Sequence, residues 1–163
     1  MKRLCNRKLI KHSEAVSKNA VEIAERLLAS GIDLDINSIR IGALLHDIGR
    51  CKSNGIDHGI KGAEILNKIP ELKKYSRFCL THIGAGLTKD EAIQLNLPPM
   101  DYLPKTIEEK VVAHADNITL EDRKVDISIT IKKMEKLLGK KHPAIKRVKE
   151  LNDYIESLMK KHI

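Results

Sequence analysis

A histidine and an aspartate stand side by side at the end of an apolar run, in the stretch ALLHDIGR (residues 43–50). Adjacent side chains on a helix point about 100° apart, so His46 and Asp47 cannot share one buried face. Near a helix end, however, both can converge on a point beyond the helix surface if a metal ion lies there. An imidazole and a carboxylate together suit a first-row transition metal. The pair is therefore a candidate pair of metal ligands.

A two-residue motif is weak by itself, because His46 could cap or pack at the helix end while Asp47 makes a local hydrogen bond. Further candidate ligands stand near helix ends or small-residue breaks: His12, His58, His82 and Asp116. Two of these histidines also have a simpler interpretation, since His58 could cap its helix and His82 could be a partly buried histidine. In that case the site holds one metal ion rather than two.

The remaining histidines and the cysteines do not extend the set. His114 stands two residues before Asp116, so on a helix it points to the opposite side. His142 precedes a proline in a turn, and His162 lies in the C-terminal segment. No CxxC pair occurs among the cysteines, so a thiolate zinc site is not indicated. These cysteines are Cys5, Cys51 and Cys79.

The elements that must position the candidate ligands are helices. Apolar residues recur at helical spacing almost throughout, and no convincing period-2 alternation lies between turn signals. The predicted helices are one ending at Gly31, one from near Asn37 to Gly49, and others over 58–69, 71–83, 126–138 and 143–161. Capping boxes at Thr88 and Thr106, each followed by glutamate at the third position, predict two more. The sequence therefore predicts an all-α fold, with the His-Asp pair in the last turn of the second helix.

Length and composition predict one compact domain over residues 1–163, with 42% hydrophobic residues to form its core. No apolar run approaches the roughly 20 residues of a membrane span, and the N-terminus lacks a signal-peptide core, so we expect a cytoplasmic protein without membrane contact. A net charge of +8 would attract phosphates, anionic nucleotides or nucleic acid. Aromatic residues are only 2%, which disfavours stacking of single-stranded nucleic acid.

The candidate ligands also match a known pattern. His12, the His46-Asp47 pair and Asp116 resemble the H…HD…D signature of the HD-domain metal-dependent phosphohydrolases, and HDIGR is similar to the HDIG branch of that superfamily. DHGIKGAEIL and THIGAG resemble the additional histidine segments of its dinuclear members. Residues 82–118 are also similar to a group of uncharacterised archaeal HDIG proteins. The resemblance covers roughly residues 9–120 and leaves the C-terminal helices, about 126–161, unmatched.

This resemblance implies a single HD-type helical domain. It implies hydrolysis of a phosphoester or phosphoanhydride of a small, nucleotide-like substrate by metal-activated hydroxide, in the manner of a phosphomonoesterase, phosphodiesterase or pyrophosphohydrolase. A first divalent ion would be held by His12, His46, Asp47 and Asp116, and a second by His58 and His82, with Asp47 bridging. Ligands of nitrogen and oxygen without thiolate fit iron, manganese, cobalt, nickel or zinc.

Cationic residues beside the His-Asp pair are the first candidates for substrate contact. Arg50 and Lys52 follow Asp47 closely, and we expect all three to take part in catalysis. Many family members have lysine at the position of Arg50. The positive charge is kept, but the single ammonium of lysine is replaced by a planar guanidinium, which can donate two parallel hydrogen bonds to a phosphate. Lys89 is the next candidate. Asn117 could donate to a substrate oxygen or equally bond the backbone.

The rival interpretation is a non-catalytic, basic, metal-containing module that binds RNA or an acidic partner. A structural metal site would be closed by its ligands, whereas this one is surrounded by glycines and by Arg50 and Lys52, which favours open access. A domain that has lost its activity is a third alternative, and the intact ligand set argues against it. The oligomeric state stays open, because an apolar face of the C-terminal helices could bury itself in a dimer or within the domain.

Overall fold

The structure, a computed structural model, describes residues 6–160, so Cys5 and His162 lie outside the described residues. These residues form eight α-helices: α1 (Arg7–Ala29), α2 (Ile36–Leu45), α3 (His58–Asn67), α4 (Ser76–Thr81), α5 (Lys89–Gln94), α6 (Ile107–Asn117), α7 (Ile127–Leu138) and α8 (Pro143–Lys160). Two 3₁₀ turns, Ile48–Cys51 and Lys73–Tyr75, precede α3 and α4. The all-α fold is thus confirmed.

A small antiparallel hairpin follows α6 and was not predicted. Its strands are β1 (Thr119–Leu120) and β2 (Arg123–Lys124), paired through Thr119 with Lys124 and Leu120 with Arg123. Strands of two residues are too short to show period-2 alternation, which is why hydrophobic patterning missed them. The hairpin contacts α1 through a buried hydrogen bond of 2.8 Å from the Asn19 side chain to Thr119 Oγ1. This contact holds the hairpin against the helix that carries His12.

The hydrophobic core lies between α1, α2, α6 and α8. α1 contributes a stripe at helical spacing that includes Val16, Ala20, Ile23 and Leu27, all buried. α1 packs chiefly against α2 and α6, while α8 packs against α6 and α7. Burial of each large aliphatic side chain stabilises the fold by about 1.5–3 kcal/mol. The same core therefore fixes the relative positions of the helices that carry His12, His46 and Asp116.

Two predicted boundaries around α2 were wrong. The helix is capped by Asp35, whose carboxylate accepts hydrogen bonds of 3.0 Å from the backbone of Asn37 and Ser38, so Asn37 lies inside the helix. The helix ends at Leu45, and His46 is its C-terminal cap rather than part of its last turn. The chain turns here because Gly49, in the following 3₁₀ turn, lies directly against the backbone of α3. The His-Asp pair consequently projects from the corner between two elements.

The predicted capping boxes had different outcomes. At Thr88 both halves of the box are present, with Thr88 and Glu91 each accepting from the other's backbone. At Thr106 the side chain accepts from the Glu109 backbone, but the Glu109 carboxylate is bound by Arg77 and by the backbone of Lys105. The predicted helix over 71–83 is shorter, because a 3₁₀ turn replaces its beginning. Within residues 6–160, no helix is long and apolar enough to cross a membrane.

Candidate metal centre

All six predicted ligands lie together, at a place where the ends of several helices meet. His12 comes from the second turn of α1, His46 and Asp47 from the corner after α2, and Asp116 from the last turn of α6. His58 is the first residue of α3 and His82 follows α4. Residues far apart in sequence converge because the core packs these helices against one another with the ends that carry the candidate ligands at one place.

One group of ligand atoms surrounds the carboxylate of Asp116. Its Oδ1 atom lies 3.0 Å from His12 Nε2 and 3.4 Å from His46 Nε2. The three ligand atoms lie within 4.8 Å of one another. Donor atoms about 2.1 Å from a common centre would be separated by distances of this order. His12, His46 and Asp116 are therefore arranged to hold one divalent ion.

A second group surrounds the carboxylate of Asp47. Its Oδ1 atom lies 3.2 Å from His58 Nε2 and 3.3 Å from His82 Nε2, and the two Nε2 atoms are 3.0 Å apart. His46, Asp47 and His82 also place ligand atoms within 4.8 Å of one another, which connects this group with the first. Two adjacent positions for cations are thus available.

Each of the four imidazoles is oriented in the same way. The Nδ1 atom of His46 lies 2.6 Å from the carbonyl of Ala43, that of His58 lies 2.8 Å from Gly55, and that of His82 lies 2.8 Å from Cys79. His12 Nδ1 lies 2.6 Å from the carbonyl of Glu121. A carbonyl can only accept, so each Nδ1 carries the proton and donates. In a neutral imidazole Nε2 then carries no proton and has a free lone pair, and this is the form in which histidine binds metals.

Two features of this donor set call for a cation. The bare Nε2 atoms of His58 and His82 face each other at 3.0 Å, an arrangement that is repulsive unless a proton or a metal ion lies between them. The Nε2 atom of His46 is fully buried and forms no hydrogen bond with the residues that the structure describes. A buried polar atom without a partner is costly, and coordination would satisfy it. The six side chains fit divalent metal ions.

The electrostatics of the cluster favour ionised carboxylates. Burial raises the pKa of Asp47, but the close contacts with the His58 and His82 rings and the charge of His46 lower it more, and the net pKa is well below its usual range. The pKa of Asp116 is lowered likewise, as the charge of His46 and the hydrogen bond from His12 outweigh burial. Burial lowers the pKa of His46, yet Asp116 raises it to about 9. A metal ion must therefore displace protons, and its affinity falls as the pH falls.

The pKa values of His12 and His82 are shifted in opposite directions. Burial lowers the pKa of His12, but the hydrogen bond and charge of Asp116 raise it more, so the net shift is upward. Burial dominates at His82, and its pKa is lowered although Asp47 acts in the other direction. His82 is consequently neutral near pH 7 and ready to act as a ligand, because a neutral imidazole is the metal-binding form.

An open cavity of about 710 Å³ adjoins the cluster, with His12 and Asp47 in its lining. Arg50 lines it too, and its Nε donates to both carboxylate oxygens of Asp47 at 3.0 and 2.9 Å. Three other predicted substrate contacts do not line it. Lys52 and Lys89 are exposed elsewhere, and the Asn117 amide is buried and donates to the Gly84 carbonyl at 2.8 Å.

Several residues of this site were missed by sequence reasoning. Lys8 and Lys11 line the cavity, and the available sequence signal was the four-residue spacing of Lys8 from His12 on one helix. The carbonyl of Glu121, which orients His12, comes from the turn of the unpredicted hairpin, so no side-chain motif could reveal it. Three other orienting carbonyls lie three residues before their histidines, a spacing that a helix end makes natural. His114 belongs to neither group of ligands among the described residues.

The chain belongs to the HD-domain family, whose family model matches residues 9–121. An uncharacterized protein of Methanocaldococcus jannaschii is 50% identical over 160 residues, which cover 98% of this chain and 95% of that protein. A tRNA (cytidine(56)-2'-O)-methyltransferase of Picrophilus torridus is 43% identical over 92% of this chain, but the match spans only 42% of its own length. A ribonuclease Y of Thermosipho melanesiensis is 27% identical over 77% of this chain and 23% of its own. No solved structure is significantly similar.

Proposed function

We propose that the chain is a metal-dependent phosphohydrolase that cleaves a phosphoester or phosphoanhydride bond of a nucleotide-like substrate. The observation that carries this proposal is the convergence of four histidine Nε2 atoms on two carboxylates, each imidazole being held through Nδ1 by a backbone carbonyl. Metal-ligating histidines almost always have such a partner on the other nitrogen. Membership of the HD-domain family supports the reaction class, since its members are usually metal-dependent phosphohydrolases.

In this proposal His12, His46, Asp47 and Asp116 hold one divalent ion, and His58 and His82 hold a second, with Asp47 shared. The geometry favours Asp47 for the shared role, because its Oδ1 atom lies near both His58 and His82 while its neighbour His46 belongs to the Asp116 group. The donors suit iron, manganese, cobalt, nickel or zinc. When bound, such ions lower the pKa of water and neutralise charge on a phosphate.

The chain's own residues have distinct roles in this proposal. Asp47 stays ionised and is fixed by the Nε donor of Arg50. Among the described residues, Arg50 uses only this one of its five N–H donors, so its two terminal nitrogens are free to bind phosphate oxygens at the cavity. Lys52 follows Cys51 of the cavity lining but lies outside the lining itself, so its part in catalysis would need a rearrangement. Lys89 and Asn117 would reach a substrate only after a rearrangement, because the structure places neither in the cavity lining.

A second candidate function is binding of RNA by a metal-containing module without catalysis. RNA is favoured by the similarity of the chain to parts of proteins that are named tRNA methyltransferases and ribonucleases. The chain spans less than half of those methyltransferases, so the module there belongs to a larger protein. The net charge of +8 is compatible with RNA as the substrate as well as the ligand. Hydrolysis is the property that separates the two functions.

Metal stoichiometry tests the site first. Elemental analysis of the purified protein is compared with His58→Ala and His82→Ala, with His142→Ala, a histidine outside the cluster, as the control. About two equivalents in the wild type and the control, falling to about one in either variant, would support the shared site. One equivalent that survives both substitutions would assign His58 and His82 a structural role. No bound metal after reconstitution would refute the proposal.

Hydrolysis tests the reaction. Metal-loaded wild type, His46→Ala and His142→Ala are incubated with mononucleotides, dinucleotides and short RNA, and products are separated by chromatography. We expect one substrate class to be hydrolysed by the wild type and the control, and the rate to fall at least about a thousandfold in His46→Ala. A wild type that holds metal and binds RNA without cleaving any of these substrates would favour the binding module.

A further inference from the structure

The cavity beside the metal centre is larger than one phosphate requires. Its volume of about 710 Å³ is within the range of sites that hold whole small molecules. Only His12 and Asp47 of the proposed ligands line it, and the rest of the lining comes largely from the beginning of α1, the segment after α2 and the hairpin turn. The part of the cavity that lies beyond the ligands is therefore available to a portion of the substrate that does not react.

Two lysines form part of this lining on the first turns of α1. Lys8 stands three residues before Lys11 and four before His12, so its side chain lies beside both on the helix surface, while the adjacent Lys11 and His12 point about 100° apart on either side of it. Both lysines are exposed, and neither forms an ion pair with a carboxylate of residues 6–160. Lys8 lies about 6 Å from His12 along the helix axis, at a rise of 1.5 Å per residue. Two lysines without an ion pair among these residues thus lie in the cavity beside the candidate metal centre.

We propose that Lys8 and Lys11 bind a second phosphate of the substrate, one that is not cleaved. This inference rests on the proposed function, because that function places the reacting phosphate at the metal centre beside His12 and Asp47. A lysine ammonium on its flexible stem can adapt to a phosphate at either of the distances that neighbouring phosphates take. The substrate class is accordingly a nucleotide that carries at least two phosphates.

The acidic part of the lining fixes the expected orientation of such a substrate. Glu121 and Asp122, at the turn of the hairpin, also line the cavity and are exposed. Carboxylates repel phosphates but accept hydrogen bonds from hydroxyl groups. The second phosphate is therefore expected on the α1 side and the ribose hydroxyls on the hairpin side. A ligand with both kinds of group matches this wall better than a bare polyphosphate does.

Nucleotide binding to the metal-loaded full chain tests the inference. Calorimetry on ice is carried out with AMP, ADP and adenosine 3',5'-bisphosphate, and chromatography confirms that the nucleotides stay intact. We expect the wild type to bind one of the two-phosphate nucleotides about five- to tenfold more tightly than AMP. Preference for ADP would indicate a phosphoanhydride chain, and preference for the bisphosphate would indicate phosphates of neighbouring nucleotides in a strand.

A matched pair of double variants isolates the lysines. Lys8→Ala/Lys11→Ala should abolish the preference for two phosphates while the affinity for AMP changes less than about twofold. Lys133→Ala/Lys136→Ala removes the same charge at the same spacing from exposed positions on α7, outside the cavity lining, and should keep the preference. Equal loss in both variants, or a wild type that binds AMP as tightly as the other nucleotides, would overturn the inference.

The two proposals can fail separately. A preference that depends on Lys8 and Lys11, without hydrolysis of any nucleotide by the wild type, would refute the phosphohydrolase and keep the two-phosphate site. Hydrolysis at the same rate and KM in the α1 and α7 double variants would keep the phosphohydrolase and refute the two-phosphate site.

Discussion

At the scale of single residues, the orientation of each imidazole depends on the local backbone. His46, His58 and His82 each donate Nδ1–H to a carbonyl three residues earlier, so the helix end that carries the histidine also selects its tautomer. His12 lies within a helix, where carbonyls are already bonded, and takes its acceptor from the hairpin. A shift of the backbone carbonyls near these residues would therefore change the orientation of the imidazoles in the site.

Gly49 shows how tightly that backbone is packed. A Cβ atom at this position would overlap the carbonyl oxygen of His58 and would lie 2.5 Å from the nitrogen of Gly62. We predict that Gly49→Ala separates the 3₁₀ turn from α3, destabilises the protein by about 3 kcal/mol, and removes the metal that depends on His58. Urea denaturation and elemental analysis measure the two effects.

The control for this substitution is Gly139→Ala. Gly139 has φ of +88°, but a Cβ atom at this position would meet no described atom within 4 Å, so only backbone strain of about 1 kcal/mol is expected. Metal content should stay unchanged. Full metal content in a folded Gly49→Ala variant would show that the close approach of the two backbones does not position the ligands.

Sequence reasoning selected the six candidate ligands because their residue types are rare in an apolar setting and occur at helix ends. It could not identify the cavity lysines with the same ease, because exposed lysines are abundant in this chain. It also assigned Asn117 an even chance of contacting substrate, whereas its amide bonds the Gly84 carbonyl. Which of the two partners the Asn117 amide takes depends on its distance from the Gly84 loop, and only the folded structure determines that distance.

At the scale of elements, the sequence predicted helices well where an apolar stripe or a cap was present. It missed the hairpin, which is too short to have a period, and it placed the end of α2 too late because the apolar pattern continues to Ile48 after the helix has ended. It expected a full capping box at Thr106, but a more distant partner, Arg77, takes the Glu109 carboxylate. Tertiary contacts decided these cases against the local pattern.

The Arg77–Glu109 ion pair connects α4 with α6, the helices beside His82 and Asp116. Arg77 Nε and one terminal nitrogen donate to the two carboxylate oxygens at 2.9 and 3.0 Å, and the Glu109 side chain is only 7% exposed. Arg77→Met leaves that carboxylate without its partner and should destabilise the protein by about 2 kcal/mol. Lys61→Met breaks an exposed pair with Glu64 and should cost less than about 0.5 kcal/mol.

A double-mutant cycle measured by urea denaturation separates the pair from its surroundings. Arg77→Met/Glu109→Met should be more stable than the sum of the single effects predicts, because the uncompensated charge is gone. Strict additivity would mean that the pair contributes nothing beyond the packing of each side chain.

The same pair makes stability depend on pH. Burial raises the pKa of Glu109, but the hydrogen bonds from Arg77 and from the backbone lower it more, so its folded pKa is below the ordinary 4.5. A carboxyl group with a lowered folded pKa stabilises the protein above its unfolded pKa, and this contribution is lost as the pH falls through the folded pKa.

We therefore predict that the stability difference between wild type and Glu109→Gln is constant from about pH 7 to pH 5 and shrinks below about pH 4.5. Urea denaturation across this range measures it, with the exposed Glu64→Gln as the control that should show little change. A difference that grows toward acid pH would contradict the assigned direction of the pKa shift.

At the scale of the whole molecule, metal binding and folding should be coupled. The six proposed ligands lie in or directly after five different helices, so the complete site exists only in the folded state. A metal ion at a hundred times its Kd stabilises such a state by about 2.7 kcal/mol. We predict that chelation lowers the Tm of the wild type by several degrees, reversibly, and leaves the Tm of His46→Ala almost unchanged. Equal Tm values with and without chelator in the wild type would contradict the coupling.

The C-terminal helices extend the coupling beyond the residues that match the family. The family match ends at residue 121, yet α8 buries Val148, Leu151 and Ile155 in the core that also contains α1 and α6. We propose that residues 1–163 form one cooperative domain, in which α8 supports the ends of the helices that carry the ligands. The sequence predicted α8 from its periodicity but gave no indication of the surface it covers.

Truncation of Ile155, a fully buried side chain on α8, tests this proposal. Ile155→Ala should destabilise the protein by about 3 kcal/mol through lost burial and the cavity left behind. If the molecule is one domain, helix content and bound metal are lost at the same, lowered temperature, because the core that α8 completes also positions the ligands. Leu137→Ala, at a position on α7 that is 74% exposed, is the control and should change stability by less than about 0.5 kcal/mol. Metal release that keeps its wild-type midpoint while α8 unfolds early would show instead that α8 folds separately from the metal-binding core.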